Sequence, residues 1–356
     1  MAHFKKYIIL MLRETFYILW VTFLGGIVSC TSHNKGYTDT ISCNTIKLKS
    51  QVLNDSFIFA KPDKLFLYDS IFIVSDVRLG DNLFYVFNTS DGRFLKSGGM
   101  KGEGPGEVII PDNSHLRNDG ILSYWDINKS KLIQYNIKHL LCDSAYVIEI
   151  PLERTRTSYN SLLDVIDLNG TFIYNGNTER HLGIYSSTNY VDAPQLPNIP
   201  SMELCRAIMN RGYWEASPDG HKLVRVTYIG GIVQCYGIYG NVIKEEWSKL
   251  FFPPVYKIVD GAVPVWITWK QESQIGFDNL YVTNRYIYLL FNGKIAKDKP
   301  FSNEVLVMDW NGSIVNKYQL NCFVKSIAVD EKNEIMYAIT CGLDEDAKIV
   351  SFNLNM

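Results

Sequence analysis

The stretch from Gly212 to Leu250 constrains the fold of this chain more than any other part of its sequence. Three turn signals divide it into four short runs rich in β-branched and aromatic residues. The turns are Pro218-Asp219-Gly220, Gly230-Gly231 and Gly240-Asn241. Because short β-rich runs separated by such turns form consecutive hairpins, the sequence predicts a four-stranded antiparallel meander here.

Similar hairpins recur along the chain and indicate that this meander is one unit of a repeat. Ile166–Ile173 and Met308–Val315 each join two apolar runs through an Asp-x-Asn-Gly turn. The pair Ser75-Asp76 and the pair Trp125-Asp126 each end an apolar run and open a polar loop. A four-stranded meander repeated about six times is the architecture of a β-propeller. The sequence therefore predicts an all-β, six-bladed β-propeller with four-stranded antiparallel blades.

The last predicted blade begins at Ser326 and ends one strand short at the C-terminus. Thr45 to Lys49 alternates apolar and charged residues, as an outer strand does. We therefore expect an N-terminal strand near Ile41 to Leu53 to complete the sixth blade, because this pairing removes an exposed sheet edge. It would bring Cys43 towards Cys341, where a disulfide and two free thiols are the alternatives.

The first 40 residues differ from the rest and resemble an export signal with a tether. Positive residues precede an apolar run, Thr15 to Val28, that is too short to span a bilayer as a helix. Ile27-Val28-Ser29-Cys30 resembles the bacterial lipobox, which implies cleavage before Cys30 and acylation of this residue. The predicted organisation is a signal peptide at 1–29, a lipidated cysteine with a flexible tether at 30–40, and one propeller domain at 41–356.

The predicted lipid at Cys30 makes the membrane the first partner of this protein. In Bacteroidetes lipoproteins an acidic run after the cysteine resembles a surface-export tag, and Thr31 to Lys35 contains no acid. We therefore expect the domain in the periplasm at the outer membrane, with exposure at the cell surface as the alternative. Translation from Met1 and translation from Met11 are both compatible with the sequence.

Bulk composition excludes some classes of function. The formal net charge is −2, so no basic surface for nucleic acid is implied. Seven cysteines are scattered without a Cys-x-x-Cys pair, and the histidines show no metal-ligand spacing. We therefore predict no cofactor, although a structural or channel cation remains compatible with the acidic loops.

The motif Lys101-Gly-Glu-Gly-Pro-Gly-Glu107 is the most distinctive local pattern in the chain. Its glycine spacing differs from that of dinucleotide-binding and phosphate-binding loops. It resembles the Gly-x-Gly-Pro-Gly-Glu signature of six-bladed, TolB-like propeller lipoproteins of Bacteroidetes, with Val108 where those proteins have an aromatic residue. The loops that begin at Ser75-Asp76 and Trp125-Asp126 resemble those of NHL-like propeller repeats. We interpret the motif as a tight crossover between blades; in the alternative, Lys101 and the backbone N–H groups face a ligand.

Candidate ligand-binding residues are few. Asp76, Arg78 and Asp126 lie in loops that we expect after inner strands, where their side chains would face the central channel or cap turns. Trp266 and Trp269 form an aromatic platform or belong to the core. Both tryptophans belong to Phe251 to Trp269. This loop and Asn189 to Arg211 flank the meander Gly212 to Leu250, and the binding surface is expected in these two proline-rich loops.

Two classes of function follow. The first is a lipid-anchored envelope propeller that binds a protein or a glycan, because the sequence shows no nucleophile motif. The alternative is a propeller-type hydrolase or lyase with an acidic, metal-binding channel, and the sequence leaves open whether the protein is an enzyme. Three or more carboxylates or histidines that converge in the channel would favour the enzyme.

Overall fold

The structure is a computed structural model, and it describes residues 44–77, 81–152, 162–176, 180–185, 190–192, 209, 211–259, 261, 267–298, 301–342 and 346–354. All of them belong to one compact unit, Ser42–Met356. The predictions for the signal peptide, Cys30 and the tether lie outside the described residues. Within the described ranges, no helix is both long enough and apolar enough to cross a membrane.

The described chain is built almost entirely from strands. In its first part the strands are β1 (Thr45–Leu48), β2 (Ser50–Asn54), β3 (Lys64–Tyr68), β4 (Ile71–Ser75), β5 (Asn82–Asn88), β6 (Phe94–Lys101), β7 (Glu107–Val108), β8 (Pro111–Leu116), β9 (Ile121–Asp126), β10 (Lys131–Asn136), β11 (Val147–Pro151), β12 (Leu162–Leu168), β13 (Thr171–Gly176), β14 (Arg180–Ile184) and β15 (Tyr190–Asp192). In its second part they are β16 (Gly212–Ala216), β17 (Lys222–Thr227), β18 (Ile232–Tyr239), β19 (Val242–Leu250), β20 (Tyr256–Ile258), β21 (Ile267–Trp269), β22 (Phe277–Val282), β23 (Tyr286–Phe291), β24 (Ser302–Asp309), β25 (Ile314–Asp330), β26 (Ile335–Thr340) and β27 (Ile349–Asn353). A short helix, α1 (Ile137–Leu141), follows β10, and one turn of 3-10 helix covers Ala296–Asp298.

These strands form six antiparallel blades in chain order. Blade 1 is β3–β6 with the short β7 beside it, and blades 2, 3 and 4 are β8–β11, β12–β15 and β16–β19. Blade 5 is β22, β23, β24 and the first part of β25. Blade 6 is the second part of β25, β26, β27 and β2. The predicted all-β, six-bladed propeller with four-stranded blades is therefore confirmed.

Apolar residues are buried between neighbouring blades, which is why successive sheets pack face to face. Phe84 and Tyr124 belong to the cluster between blades 1 and 2, and Ile173 and Tyr236 to the one between blades 3 and 4. Blade 6 shares a cluster with blade 1, in which Tyr337 contacts Phe72 at 5.1 Å between ring centroids. The first and last blades therefore pack against each other.

The innermost strand of each blade is its first strand. Contacts join β8 to β12, β16 to β22, β22 to β25 and β25 to β3. The hydroxyl of Ser326 on β25 accepts a hydrogen bond from the backbone N–H of Leu65 on β3 and lies 3.3 Å from Asn279 on β22. These first strands therefore surround the channel and set which side chains enter it.

The N-terminal segment pairs differently from the detailed expectation. Ser50–Asn54 is the fourth strand of blade 6 and pairs antiparallel with β27. Thr45–Leu48, the part that we expected to fill this place, pairs parallel with β25 at the outer edge of blade 5. Cys341 has a free thiol, so it forms no disulfide in this structure; Cys43 lies outside the described residues.

The predicted hairpins agree with the structure, and one predicted loop does not. The meander Gly212 to Leu250 is blade 4. At the Asn169-Gly170 turn both residues have positive φ, 53° and 90°, as a tight β-hairpin requires. Tyr190–Asp192, expected within an insertion, instead forms the fourth strand of blade 3. The proline-rich segment after blade 4 contains the small sheet of β20 and β21.

Candidate functional site

A cavity of about 600 Å³ opens at the end of the channel where the innermost strands turn back into their second strands. We call it the funnel. Its walls are formed by the ends and turns of the first strands of blades 1 to 5. The polar and charged side chains of its lining are Lys64, Asp69, His115, Arg117, Asn118, Asp119, Ser123, Gln134, Asp167, Asn169, Thr171, Glu215, Ser217, Asp219 and Asn284.

An ion pair crosses the channel at the floor of the funnel. Lys64 begins β3 of blade 1 and Glu215 lies on β16 of blade 4, so the two residues come from opposite sides of the six-bladed ring. The Lys64 ammonium group donates a hydrogen bond to the Glu215 carboxylate and a second one to the Ser114 carbonyl at 2.7 Å. Each side chain of the pair is about 15% exposed, so the pair is only partly screened by water.

His115 connects this ion pair to a second carboxylate. Its Nε2 donates to Asp164 Oδ2 at 2.8 Å, and its Nδ1 lies 3.4 Å from Glu215 Oε2. The Trp214 indole N–H donates to the same Asp164 oxygen at 2.5 Å. We call Lys64, His115, Asp164 and Glu215 the floor cluster. It joins the first four blades through side-chain contacts.

The electrostatics of the floor cluster favour its charged form. Burial lowers the pKa of His115, but the charges of Asp164 and Glu215 outweigh burial and the repulsion from Lys64, so the pKa lies above its usual 6.5. Burial raises the pKa of Glu215, and the charges of Lys64 and His115 reverse this effect, so the pKa lies below its usual 4.5. Glu215 is therefore an ionised hydrogen-bond acceptor at neutral pH.

A second ion-paired group forms one wall of the funnel. Arg117, in the turn after β8, donates to Asp119 at 2.7 and 2.8 Å and also to Asp167 of β12. Gln134 donates to the same Asp167 oxygen at 2.7 Å, and the other oxygen accepts the Gly170 N–H. Hydrogen bonds to Asp119 raise the pKa of Arg117 and lower that of Asp119. The wall thus presents fixed donors and acceptors.

Asp76 and Asp126 cap the backbone and do not face the funnel. Asp76 directly follows β4 and Asp126 ends β9, and both of these are second strands, not innermost ones. Both residues are fully buried, and neither lines the funnel. Their carboxylates accept from backbone N–H groups, those of Ala60 and Lys61 for Asp76 and those of Ile109, Asn128 and Lys129 for Asp126, at 2.6–3.1 Å. These bonds hold the chain that enters each blade, so the contacts agree with the alternative in which the two residues cap backbone turns and not with the one in which they face the channel.

The glycine motif is held by hydrogen bonds within the protein. Glu107 Oε2 accepts the Gly104 N–H at 2.8 Å, and Lys129 donates to the carbonyls of Gly104 and Glu107. Gly106 has φ of 73°, and a Cβ there would lie 2.8 Å from Val147. The contacts fit the crossover interpretation. Lys101 is half-buried at the end of β6 and does not line the funnel.

Of the remaining candidates, only Trp269 is among the described residues, and it lies outside the funnel. Trp269 is 38% exposed and contacts Tyr228 edge to face at 6.3 Å between ring centroids. It is absent from the funnel lining. Trp266, Arg78 and Cys30 lie outside the described residues. Among the described residues, no group of three or more His, Cys, Asp or Glu is arranged to hold a metal ion.

Sequence reasoning missed the floor cluster. The available signal was weak: a charged residue stands inside a short β-rich run, as Glu215 does between Trp214 and Ala216. Such a residue is also found on the exposed face of an outer strand. Only the knowledge that β16 and β3 are innermost strands distinguishes the two cases.

Comparison with known proteins agrees with this architecture. The family model described as "TolB-like 6-blade propeller-like" matches residues 42–332. The chain belongs to this family. We found no significant match among curated protein sequences.

Solved structures similar to this TolB-like propeller come from several organisms. A member of the DUF4221 family from Bacteroides vulgatus has 11% identity and a TM-score of 0.52, over 87% of this chain and 97% of the other. A Bacteroides fragilis protein described as exported has 13% identity and a TM-score of 0.46, over 87% and 99%. Virginiamycin B lyase from Staphylococcus aureus has 14% identity and a TM-score of 0.47, over 86% and 99%. At these identities the likeness concerns the fold alone.

Proposed function

We propose that this TolB-like propeller is a lipid-anchored binding module of the cell envelope, which captures a protein or glycan partner at the funnel. The lipobox-like sequence that ends at Cys30 supports the lipid anchor, and the absence of an acidic residue from Thr31 to Lys35 supports a periplasmic domain at the outer membrane. No cofactor takes part in this proposal. Membrane attachment at Cys30 and recognition at the funnel, whose lining runs from Lys64 to Asn284, would then be separate properties of the protein.

The observation that carries the binding proposal is the funnel itself. Ligand sites are concave, with volumes of about 300–1,000 Å³ and a small number of fixed polar groups. The funnel has about 600 Å³ and positions Glu215 and the Arg117–Asp167 pair on a rigid ring of strands. A side chain or a chain end of a partner fits a cavity of this size.

Co-purification from native envelope tests the role of the funnel. We expect Arg117→Ala to release the partner that the unsubstituted protein retains, because the substitution removes the donor shared by Asp119 and Asp167. Arg93→Ala is the matched control, since Arg93 is exposed and outside the funnel lining. Equal recovery of partners with both variants would contradict recognition at the funnel.

Metabolic labelling with an alkyne fatty acid tests the anchor. We expect Cys30→Ser to lose the label and to leave the membrane fraction, whereas Cys142→Ser keeps both, because Cys142 is an exposed cysteine of the domain. Protection of the domain from protease added to intact cells supports the periplasmic side. Cleavage in intact cells would place the domain on the cell surface.

An enzyme, a hydrolase or lyase acting in the channel, is the second candidate function. The convergence of His115, Asp164 and Glu215 favours it. However, His115 is 5% exposed with both ring nitrogens directed at carboxylates, and the lowered pKa of Glu215 keeps this carboxyl ionised at neutral pH. Neither group therefore suits the role of a general acid that reaches a ligand, and the geometry favours binding.

Incubation of the protein with envelope glycans and peptides distinguishes the two candidates. For a binding module we expect no new reducing ends, unsaturated products or free amines, at any pH between 5 and 8. Product formation that disappears in Glu215→Gln would establish the enzyme instead.

A further inference from the structure

Every basic side chain in the described lining of the funnel is already paired with a carboxylate. Lys64 contacts Glu215, and Arg117 contacts both Asp119 and Asp167. His115 contacts Asp164 and Glu215. An anionic ligand would have to separate one of these pairs before it found a cation, and a carboxylate left without its partner in a shielded site is costly.

Carboxylates also outnumber basic groups in the funnel. The lining contains Asp69, Asp119, Asp167, Glu215 and Asp219, against Lys64, Arg117 and His115. Its formal charge is therefore −2 when His115 is protonated and −3 when His115 is neutral. Because a concave site with low-dielectric walls focuses this potential, it repels uronates, sulfates and phosphates.

Beside the charged pairs and the uncharged polar side chains, the lining also contains apolar groups. Leu116, Leu168, Ile238 and Val282 contribute aliphatic surface, and Tyr281 contributes an aromatic ring. A ligand that fits must therefore present hydrogen-bonding edges and hydrocarbon faces within the same few ångströms. A sugar ring has this pattern, because its hydroxyl groups lie at the edge and its C–H groups lie on the faces.

We propose that the funnel binds an uncharged saccharide. The Glu215 carboxylate accepts hydrogen bonds from its hydroxyl groups, and the Arg117–Asp167 pair supplies a neighbouring donor and acceptor. A hydroxyl group both donates and accepts, so it can bridge the two members of an ion pair without separating them. This inference rests on the proposed function and specifies the class of ligand that the funnel binds.

The floor cluster contributes to this binding through preorganisation. Lys64 and His115 hold the Glu215 carboxylate from two sides, and Trp214 and the backbone N–H of Val165 hold Asp164. The acceptor is therefore fixed before the ligand arrives, and little conformational entropy is lost on binding. Lys64 and His115 are positioning residues, whereas Glu215 contacts the ligand.

A panel of disaccharides tests the ligand class. Full-length protein extracted in detergent is titrated by calorimetry with an uncharged, an amine-bearing and a uronate disaccharide. We expect the uncharged sugar to bind at least tenfold more tightly than the uronate. Glu215→Gln should weaken this binding at least tenfold, because the substitution replaces a charged acceptor with a neutral amide.

Two further variants and a folding check complete the experiment. Asp167→Asn should also weaken binding. Glu246→Gln should leave it unchanged, since Glu246 lies on the outer strand β19, outside the funnel lining, and pairs with Lys222 of β17. Near-ultraviolet circular dichroism establishes that each variant is folded. If Glu215→Gln is unfolded, Asp167→Asn decides the question.

The outcomes separate this inference from the proposed function. Preferred binding of the uronate or of the amine-bearing sugar, or unchanged affinity in both funnel variants, overturns the inference of an uncharged saccharide. Absence of sugar binding also overturns it, and the proposed function still stands if an envelope protein is recovered in a way that depends on Arg117. If neither sugar nor partner depends on the funnel, both proposals fail.

Discussion

Lys64 and Glu215 illustrate how much a residue's role depends on where the fold places it. In sequence, each is an ordinary charged residue in a β-rich run. In the structure they meet across the channel, at about 15% exposure each. Two charges removed from most of their water must be paired, so each side chain depends on the other.

A double-mutant cycle measures this dependence. We expect Lys64→Met to lower the free energy of unfolding by about 2 kcal/mol, because Glu215 then keeps only His115 as a charged partner. The loss is smaller than for a fully buried ion pair, because water still reaches part of both side chains. Lys64→Met/Glu215→Leu should be more stable than Lys64→Met alone. Urea unfolding of the four proteins gives the coupling free energy, and simple additivity would contradict the predicted pairing.

The floor cluster should also determine how stability depends on pH. The pKa of His115 is raised, so its contribution is complete below pH 6.5 and is lost as the pH rises through the folded-state pKa. The pKa of Glu215 is lowered, so its contribution is present above pH 4.5 and is lost as the pH falls through its folded-state pKa. We expect the thermal unfolding temperature to be highest between these two values.

Calorimetry between pH 4 and pH 9 checks this profile with two histidine variants. In His115→Gln the thermal unfolding temperature should fall less steeply above pH 6.5, because the substitution removes the group that loses its proton there. His221→Gln, at an exposed turn position, should leave the profile unchanged. A decline above pH 6.5 that persists in His115→Gln would assign the effect to another group.

At the scale of elements, the crossover from blade 1 to blade 2 is stabilised by a lysine outside the glycine motif. Lys129, in the turn between β9 and β10, donates to two carbonyls of the motif, those of Gly104 and Glu107. Lys101, the lysine within the motif, donates no such hydrogen bond to any described residue and does not line the funnel. The stabilising cation is therefore the lysine that is distant in sequence.

We expect Lys129→Met to destabilise the protein by about 1–3 kcal/mol, because two carbonyls lose hydrogen bonds to a charged donor. Lys101→Met, a change of the same size and charge, should cost less than about 0.5 kcal/mol. Hydrogen exchange at the crossover amides locates the effect. Equal destabilisation by the two substitutions would argue against this assignment.

At the scale of the whole molecule, strand β2 belongs to blade 6 and also contacts blade 1. β2 pairs with β27, and Asn54 at its end donates to the Gly92 carbonyl of blade 1 at 2.8 Å. Gly92 has φ of 67°, and a Cβ there would lie 2.4 Å from the Leu53 carbonyl oxygen. The turn at Gly92 thus lies so close to the backbone of β2 that a side chain at this position would collide with Leu53.

Two alanine substitutions separate this close approach from the cost of a left-handed backbone. Gly170→Ala, at a turn with open space around it, should cost about 1–2 kcal/mol for its positive φ alone. Gly92→Ala should cost clearly more, because the Leu53 backbone must also move. Thermal unfolding measures both, and limited proteolysis should show earlier cleavage near β2 in Gly92→Ala only. Similar losses in both variants would contradict the tight contact.

The sequence by itself determined the repeat. Hairpin turns such as Asn169-Gly170 depend on local backbone conformation, and apolar alternation depends on neighbours a few residues away, so both can be read along the chain. The four-stranded blades, their number and the N-terminal strand of the last blade followed from these local rules. The same rules placed β1 in the wrong blade, because an outer strand fits more than one open edge.

Only the tertiary structure decided which strands are innermost and therefore which side chains meet. Asp76 and Asp126 stand beside apolar runs that resemble inner strands, yet they hold the chain between blades. Lys64, His115, Asp164 and Glu215 are separated by about 50 residues each and converge because each lies on the first strand of its blade. The distance between such residues is set by the closure of the ring, and closure is a property of the complete set of blades.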